Sequence, residues 1–138
     1  MGSLSNYYSA AVLNVVGGKA TLTIPSTWVL LADGVISNGD TGTTISTNVE
    51  ITAGGYARVL ISASAWASAT ASGSLLETNV ATTFPEPSAS WGTVTYWAIA
   101  DASVAGNVIA FGSVAVAKSI SSGVPVRFNA GGIDIFLT

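Results

Sequence analysis

Cysteine and histidine are both absent from this chain of 138 residues, and lysine and arginine together number four. Without cysteine there is no disulfide framework, and cysteine usage is silent on redox compartment. Without histidine the commonest general base, the commonest metal ligand and the side chain that titrates near neutral pH all go at once. The four basic residues, Lys19, Arg58, Lys118 and Arg127, stand singly in a chain of net charge −3. No patch can neutralise several phosphates, so nucleic acid is not expected as a partner. Charged residues make up 8% of the chain, against about 25% in an ordinary soluble domain. So sparse a supply points to an outside largely covered by other protein, or coated with Ser and Thr.

Long apolar runs are missing too. The longest, 28–32, is far too short to span a bilayer, and no basic, apolar, cleavable leader opens the chain. No membrane is expected, and the protein is read as made in the cytosol, working there or in an assembly that leaves without secretion.

What is present is apolar and β-like. One domain-sized core is within reach at this length. Residues 4–16 place Leu4, Tyr7, Tyr8, Ala11, Val12, Val15 and Val16 at helical spacing. Ser3 or Ser5 can cap that helix, and Gly17-Gly18 stops it. We divide the chain into a helical arm, 1–19, and a β domain, 20–138. The arm packs either on its own sheet or on a neighbouring subunit.

From Ala20 the period becomes two. Short strands are expected at 21–24 and 27–31. Residues 32–49 form a turn-rich loop with room for a strand at 43–47, and Asn38-Gly39-Asp40 reads as a turn rather than a calcium loop. Gly54-Gly55 allows a sharp bend into a strand carrying Arg58. An arginine among apolar neighbours needs a partner if buried, and Glu50, Glu77 and Asp101 are the candidates. A connector of small residues, 62–74, holds Trp66, which either plugs the end of the core or anchors a contact. Further strands are expected at 75–84, 93–100, 107–114, 124–129 and 133–138, the last with Ile133, Ile135 and Leu137 inward. In the 93–100 strand Trp97 and Ile99 are assigned to the core, and Val94, Tyr96 and Ala98 to the opposite face, turned to a sibling subunit or the helix. One helix and about eight turn-punctuated strands make the fold mainly β: an antiparallel β-sandwich with an N-terminal α-helix, of which a jelly roll is one form.

Catalytic chemistry is not found. No serine sits in a Gly-x-Ser-x-Gly setting, and a hydroxyl nucleophile has only Lys19, Lys118 or a carboxylate for a base. Glu77, Glu86 and Asp101 are the only carboxylates that could pair for glycoside cleavage, and each has a simpler place beside a turn or an arginine. Gly17-Gly18 and Gly131-Gly132 follow no phosphate-loop spacing. No catalytic residue, cofactor or metal is assigned. Trp66, Trp91, Tyr96 and Trp97 are enough aromatics for a sugar-stacking surface, and equally natural as core.

Gly54-Gly55-Tyr56-Ala57-Arg58 and Trp91-Gly92-Thr93-Val94-Thr95-Tyr96 are the most specific pieces of a series that also includes Pro25-x-Thr27, a Thr83-Phe84-Pro85 strand end, Gly106-Asn107-Val108-Ile109-Ala110-Phe111-Gly112 and Ala130-Gly131-Gly132-Ile133. Over nearly the whole chain this series resembles a family of small virion proteins of tailed bacteriophages. Its members are labelled tail-fibre or minor structural proteins, and similar small β-sandwich proteins serve as capsid cement. Many relatives have an Asp-Pro turn after the first apolar strand, whereas this chain has Leu31-Ala32-Asp33-Gly34.

The resemblance implies assembly without catalysis. The first expectation is a cement (decoration) protein on the capsid exterior, a homotrimer bound to the major capsid protein. The alternative is a tail-fibre or baseplate module binding host surface glycan. Leu4, Tyr7, Tyr8, Arg58, Trp66, Trp91 and Tyr96 are the expected interface residues.

Overall fold

The computed structural model describes residues 2–24, 26–69 and 75–136. Its centre is β2 (Thr27–Ala32), whose alternation fixes two cores. Val29 and Leu31 point to one side and Leu30 and Ala32 to the other, and all four are buried. A strand buried on both faces reads as a continuous apolar run, which is what Trp28–Ala32 is in sequence.

β2 pairs with β3 (Val59–Ile61) and with β6 (Gly92–Ala100), and β6 pairs with the long β7 (Val108–Ile120). β1 (Gly2–Leu4), β9 (Asp134–Phe136) and β4 (Leu75–Glu77) complete a seven-stranded sheet of order β3-β2-β6-β7-β1-β9-β4. All its pairings are antiparallel except β1 with β9. The fold is therefore mainly β and mostly antiparallel, as expected. A two-stranded ribbon, β5 (Thr82–Thr83) with β8 (Arg127–Phe128), brings Phe84 and Phe128 onto the larger core.

The sheet curls until its two edges meet around Trp66. Residues 65–67 run beside β4: Ala67 N–H donates to Glu77 O (2.8 Å) and Asn79 N–H to Ala65 O (2.8 Å). The Trp66 indole N–H reaches across to Thr27 Oγ1 (3.0 Å), whose hydroxyl donates to Ile61 O on the other edge. The backbone of this segment covers the β4 edge, which protects it from unwanted pairing, while its ring reaches the other end of the sheet.

The larger core lies on the Val29/Leu31 face, with Val94, Trp97, Ile99, Ile133 and Ile135. The smaller lies on the other face, with Leu30, Ala32, Ala98, Ala100 and Val108 beneath Ile36 and Ile45. Trp97 and Ile99 are in the core as expected. Val94 joins them, contrary to the strict alternation, at the point where the β6–β7 ladder is irregular between Val94 and Tyr96.

Among the described residues there are two α-helices, where one was expected. α1 (Asn6–Val16) starts at Ser5, whose hydroxyl oxygen accepts from Tyr8 N–H, and closes at Gly17. The second, α2 (Gly42–Asn48), replaces the strand expected at 43–47. Thr41 and Thr44 form a reciprocal capping box, and Ile45 alone inserts into the smaller core. Period-two reading fails there because the stretch has one apolar residue, and the caps set the backbone instead. Gly42 is required at the start of α2: a Cβ there would lie 1.8 Å from Ala105 O.

Other elements are shorter or longer than predicted. The 75–84 strand breaks into β4 and β5, 124–129 shrinks to β8, and 21–24 is not a strand. β7 carries the expected 107–114 strand on to Ile120, with an irregular register opposite Thr95. Leu137 lies outside the described residues.

Candidate assembly surface

Arg58 is buried and has all its donors occupied. Nε and Nη2 grip Glu50 Oε1 and Oε2 at 2.8 Å each, a bidentate ion pair. Nη1 donates to Ala102 O (3.0 Å) and Ala105 O (2.9 Å), and Nη2 also reaches Ser46 Oγ (2.9 Å) and Gly42 O (3.3 Å). Of the three candidate carboxylates, Glu50 is the partner. The planar five-donor fork suits this task, since one side chain ties α2, Glu50 and the 101–106 loop together. Ala105, held there with φ 53°, is the only non-glycine residue at positive φ among those described.

Burial pushes the Glu50 carboxyl up. Hydrogen bonds from Arg58, Ser46 and Tyr56, with the Arg58 charge, outweigh it and hold the group below its ordinary value. The Tyr56 phenol is raised, by burial first and then by the Glu50 charge. Its hydroxyl donates to Glu50 Oε1 (3.1 Å) and accepts from Leu31 N–H (2.9 Å).

A second polar cluster closes the β6–β7 link. Asp101 accepts from Asn107 N–H (2.7 Å), Asn107 Nδ2 (3.0 Å) and the Tyr8 hydroxyl (3.1 Å). Burial raises the Asp101 carboxyl, but these bonds win and hold it low, while burial and Asp101 raise the Tyr8 phenol. Both clusters are internally satisfied, so neither presents a reactive group to solvent. Among the described residues no three His, Cys, Asp or Glu side chains gather as metal ligands.

The seven residues expected at an interface are scattered. Tyr8 and Arg58 are buried in the clusters above, and Trp91 is buried in the larger core with its indole N–H on Gly54 O (3.0 Å). Tyr96 is half-buried against the smaller core, Leu4 against the larger, and Trp66 at the sheet closure. Tyr7 alone is open, at 58% exposure, set edge-on to Tyr8 with ring centroids 5.3 Å apart.

Exposed apolar side chains gather on α1. Only its first two turns touch the sheet, through Tyr8 and the half-buried Ala11 and Val12. Leu13 (69% exposed), Val15 and Val16 (80%) face outward, with Leu22 and Ile24 exposed just beyond. Sequence reasoning placed Val15 and Val16 on the packed stripe and left Leu13 out. The signal was the full ring of apolar residues, more than one sheet contact can use. A second opening, a cavity of about 500 Å³, lies by the sheet closure between Ile24, Leu60, Trp66 and Leu76.

The two sequence pieces that carry the family resemblance touch each other. Besides the Trp91–Gly54 bond, the Tyr56 and Trp91 rings meet edge-to-face at 5.4 Å, and Phe84 stacks on Tyr56 at 6.2 Å. Gly54 (φ 36°) makes this possible, since a Cβ there would come within 2.4 Å of Ala89 N. In this chain the two pieces thus act as one packed structural unit. A family model described as podophage GP4 fiber I protein gp80 matches residues 3–136. The chain belongs to this family. It is accordingly a phage virion structural protein. No curated protein matches the chain.

Proposed function

We propose that this fiber I family member is a non-enzymatic structural subunit of a podophage tail fibre. The family match over residues 3–136 carries the reading. The geometry supports it: the buried Arg58–Glu50 and Tyr8–Asp101 clusters are spent on internal staples, and one face of α1 exposes Tyr7, Leu13 and Val16 together. In this reading Tyr7, Leu13 and Val16 of α1 are covered in the virion by a neighbouring subunit, and the copies close into a homotrimer.

Labelling the protein in purified particles and locating it by electron microscopy tests this. Label on the tail is expected. Label across the capsid exterior would replace it with the cement reading, in which the same α1 face meets the major capsid protein.

A host-glycan role has one place left to stand, the Trp66 cavity. Trp91 is buried and Tyr96 half-buried against the smaller core, and among the described residues lining the cavity the hydroxyls offered to a sugar are those of Ser26, Thr27 and Ser62. Sugar recognition needs convergent polar groups, so this reading ranks below assembly.

A further inference from the structure

β7 and β8 follow each other through the turn at 121–124, yet they do not pair. β7 bonds to β6, and β8 bonds to β5. On its other side β7 meets β1 only at Ala110 and Phe111. From Ser113 to Ser119 its outer edge therefore has no strand neighbour among the described residues. Part of this edge is also pushed out. Between the pairs Val94–Lys118 and Tyr96–Ser113 lie one residue of β6, Thr95, and four of β7, 114–117. Those four read Val-Ala-Val-Ala, and Val116 is 79% exposed.

The gap between the splayed strands is a cavity of about 170 Å³. Val114, Val116, Val126 and Phe128 are among its lining side chains, over a floor that includes Val94 and Ile120. Lys118 and Arg127 line the same cavity. They are half of the chain's four basic residues, both exposed. Among the described residues Arg58 is paired with Glu50, and neither Lys118 nor Arg127 has a carboxylate partner.

An unpaired strand edge, an apolar slot beside it and two free cations have a common complement. We propose that the β7–β8 gap binds an extended acidic segment of another protein, which adds as a strand along residues 113–119. Its apolar side chain fills the slot, and a carboxylate on the same face, two residues away, meets Lys118 and Arg127. Main-chain bonds supply affinity in such strand addition, and the alternating side chains supply specificity. A second copy of this chain is the poorer occupant. Pairing two identical edges about a two-fold axis brings the cations of both copies onto one short edge, where like charges repel. The inference deepens the assembly reading and rests on it only for the source of the segment.

The test uses the full chain, 15N-labelled, with the capped heptapeptide Thr-Val-Thr-Asp-Thr-Val-Thr as probe, which sets valine and aspartate two residues apart on one face, and the same peptide with lysine for aspartate as control. Expected are saturable shifts and slowed amide exchange at 113–119 and around 126–128. The lysine control should leave these amides unchanged. The Lys118→Glu/Arg127→Glu pair should weaken aspartate-peptide binding by about tenfold or more, as loss of close charge pairs does. If that pair fails to fold, Lys118→Gln/Arg127→Gln makes the same comparison. Equal binding of both peptides, shifts located elsewhere, or indifference to the charge changes would overturn the proposal. Concentration-dependent shifts at 113–119 without peptide would overturn it in favour of a second copy. None of these outcomes depends on whether the protein sits on the tail or the head.

Discussion

The two helices contrast in composition and in burial, and the contrast runs opposite to what composition suggests. α1 reads Asn-Tyr-Tyr-Ser-Ala-Ala-Val-Leu-Asn-Val-Val and leaves most of its apolar side chains in the open. α2 reads Gly-Thr-Thr-Ile-Ser-Thr-Asn, with a single large apolar residue, and is clamped between Glu50, Arg58 and the 101–106 loop. A short polar helix has almost no stability of its own, so α2 exists because tertiary partners hold its caps and carbonyls. α1 is long enough to be set by a cap and one anchor, Tyr8, which frees its remaining face for another molecule.

The largest expected effect falls on the clamp. Arg58→Met leaves Glu50 buried without its cation, which costs about 3–5 kcal/mol. Chemical denaturation should register that loss. Hydrogen exchange should show α2 amides losing protection before those of α1, and equal loss in both would break the contrast. Adding Glu50→Leu to Arg58→Met should recover part of the stability, because the orphaned charge is then gone.

Next comes the anchor of α1. Tyr8→Ala should cost about 3 kcal/mol, as for other large buried side chains, while Leu13→Ala should stay within about 0.5 kcal/mol. Unfolding curves of the isolated protein measure both. A cost for Leu13→Ala comparable to that of Tyr8→Ala would mean that the outer face of α1 is packed after all. In assembled particles the order should shift, with Leu13→Ala reducing incorporation.

Acid should act on the clamp through Glu50. Its folded value lies below the ordinary glutamate value, near about 4.3, so the unfolded chain binds more protons as pH approaches that range. The stability it contributes is full above the ordinary value and is lost as pH falls through the depressed folded one. Asp101, also held low, has the same sign. Denaturation midpoints should be level from neutral pH downward and fall only below about pH 4. Glu50→Gln should flatten part of that slope. A midpoint that rises on acidification would reverse the assigned direction.

The smallest effect is on the capping box. Thr41→Ala removes the acceptor for Thr44 N–H and should cost about 1 kcal/mol. Its signature is raised exchange in the first turn of α2, with α1 unaffected.

How much of this was legible depended on the range of the interactions. The β2 and β6 strands, the Ser5 cap and the Gly17 stop are written locally, in alternation and in residue types that act on their neighbours. α2 was not legible, because its capping threonines look like loop composition and its holding partner lies at Arg58. The partner of Arg58 came down to three carboxylates, and choosing Glu50 needed the fold. Trp66 was left between core plug and contact anchor. It proved to join two sheet edges that are neighbours only once the sheet has curled.

By itself, then, the sequence determined class and exclusions: a mainly β, mostly antiparallel protein with sparse charge and with neither histidine nor cysteine for chemistry. Alternation, glycine and proline act over a few residues, so they survive without knowledge of the fold. The tertiary structure alone decided which arginine is buried and which two basic residues are left free beside one gap. It also decided which apolar helix face stays open. Those outcomes depend on contacts between residues tens of positions apart, and no local pattern encodes them.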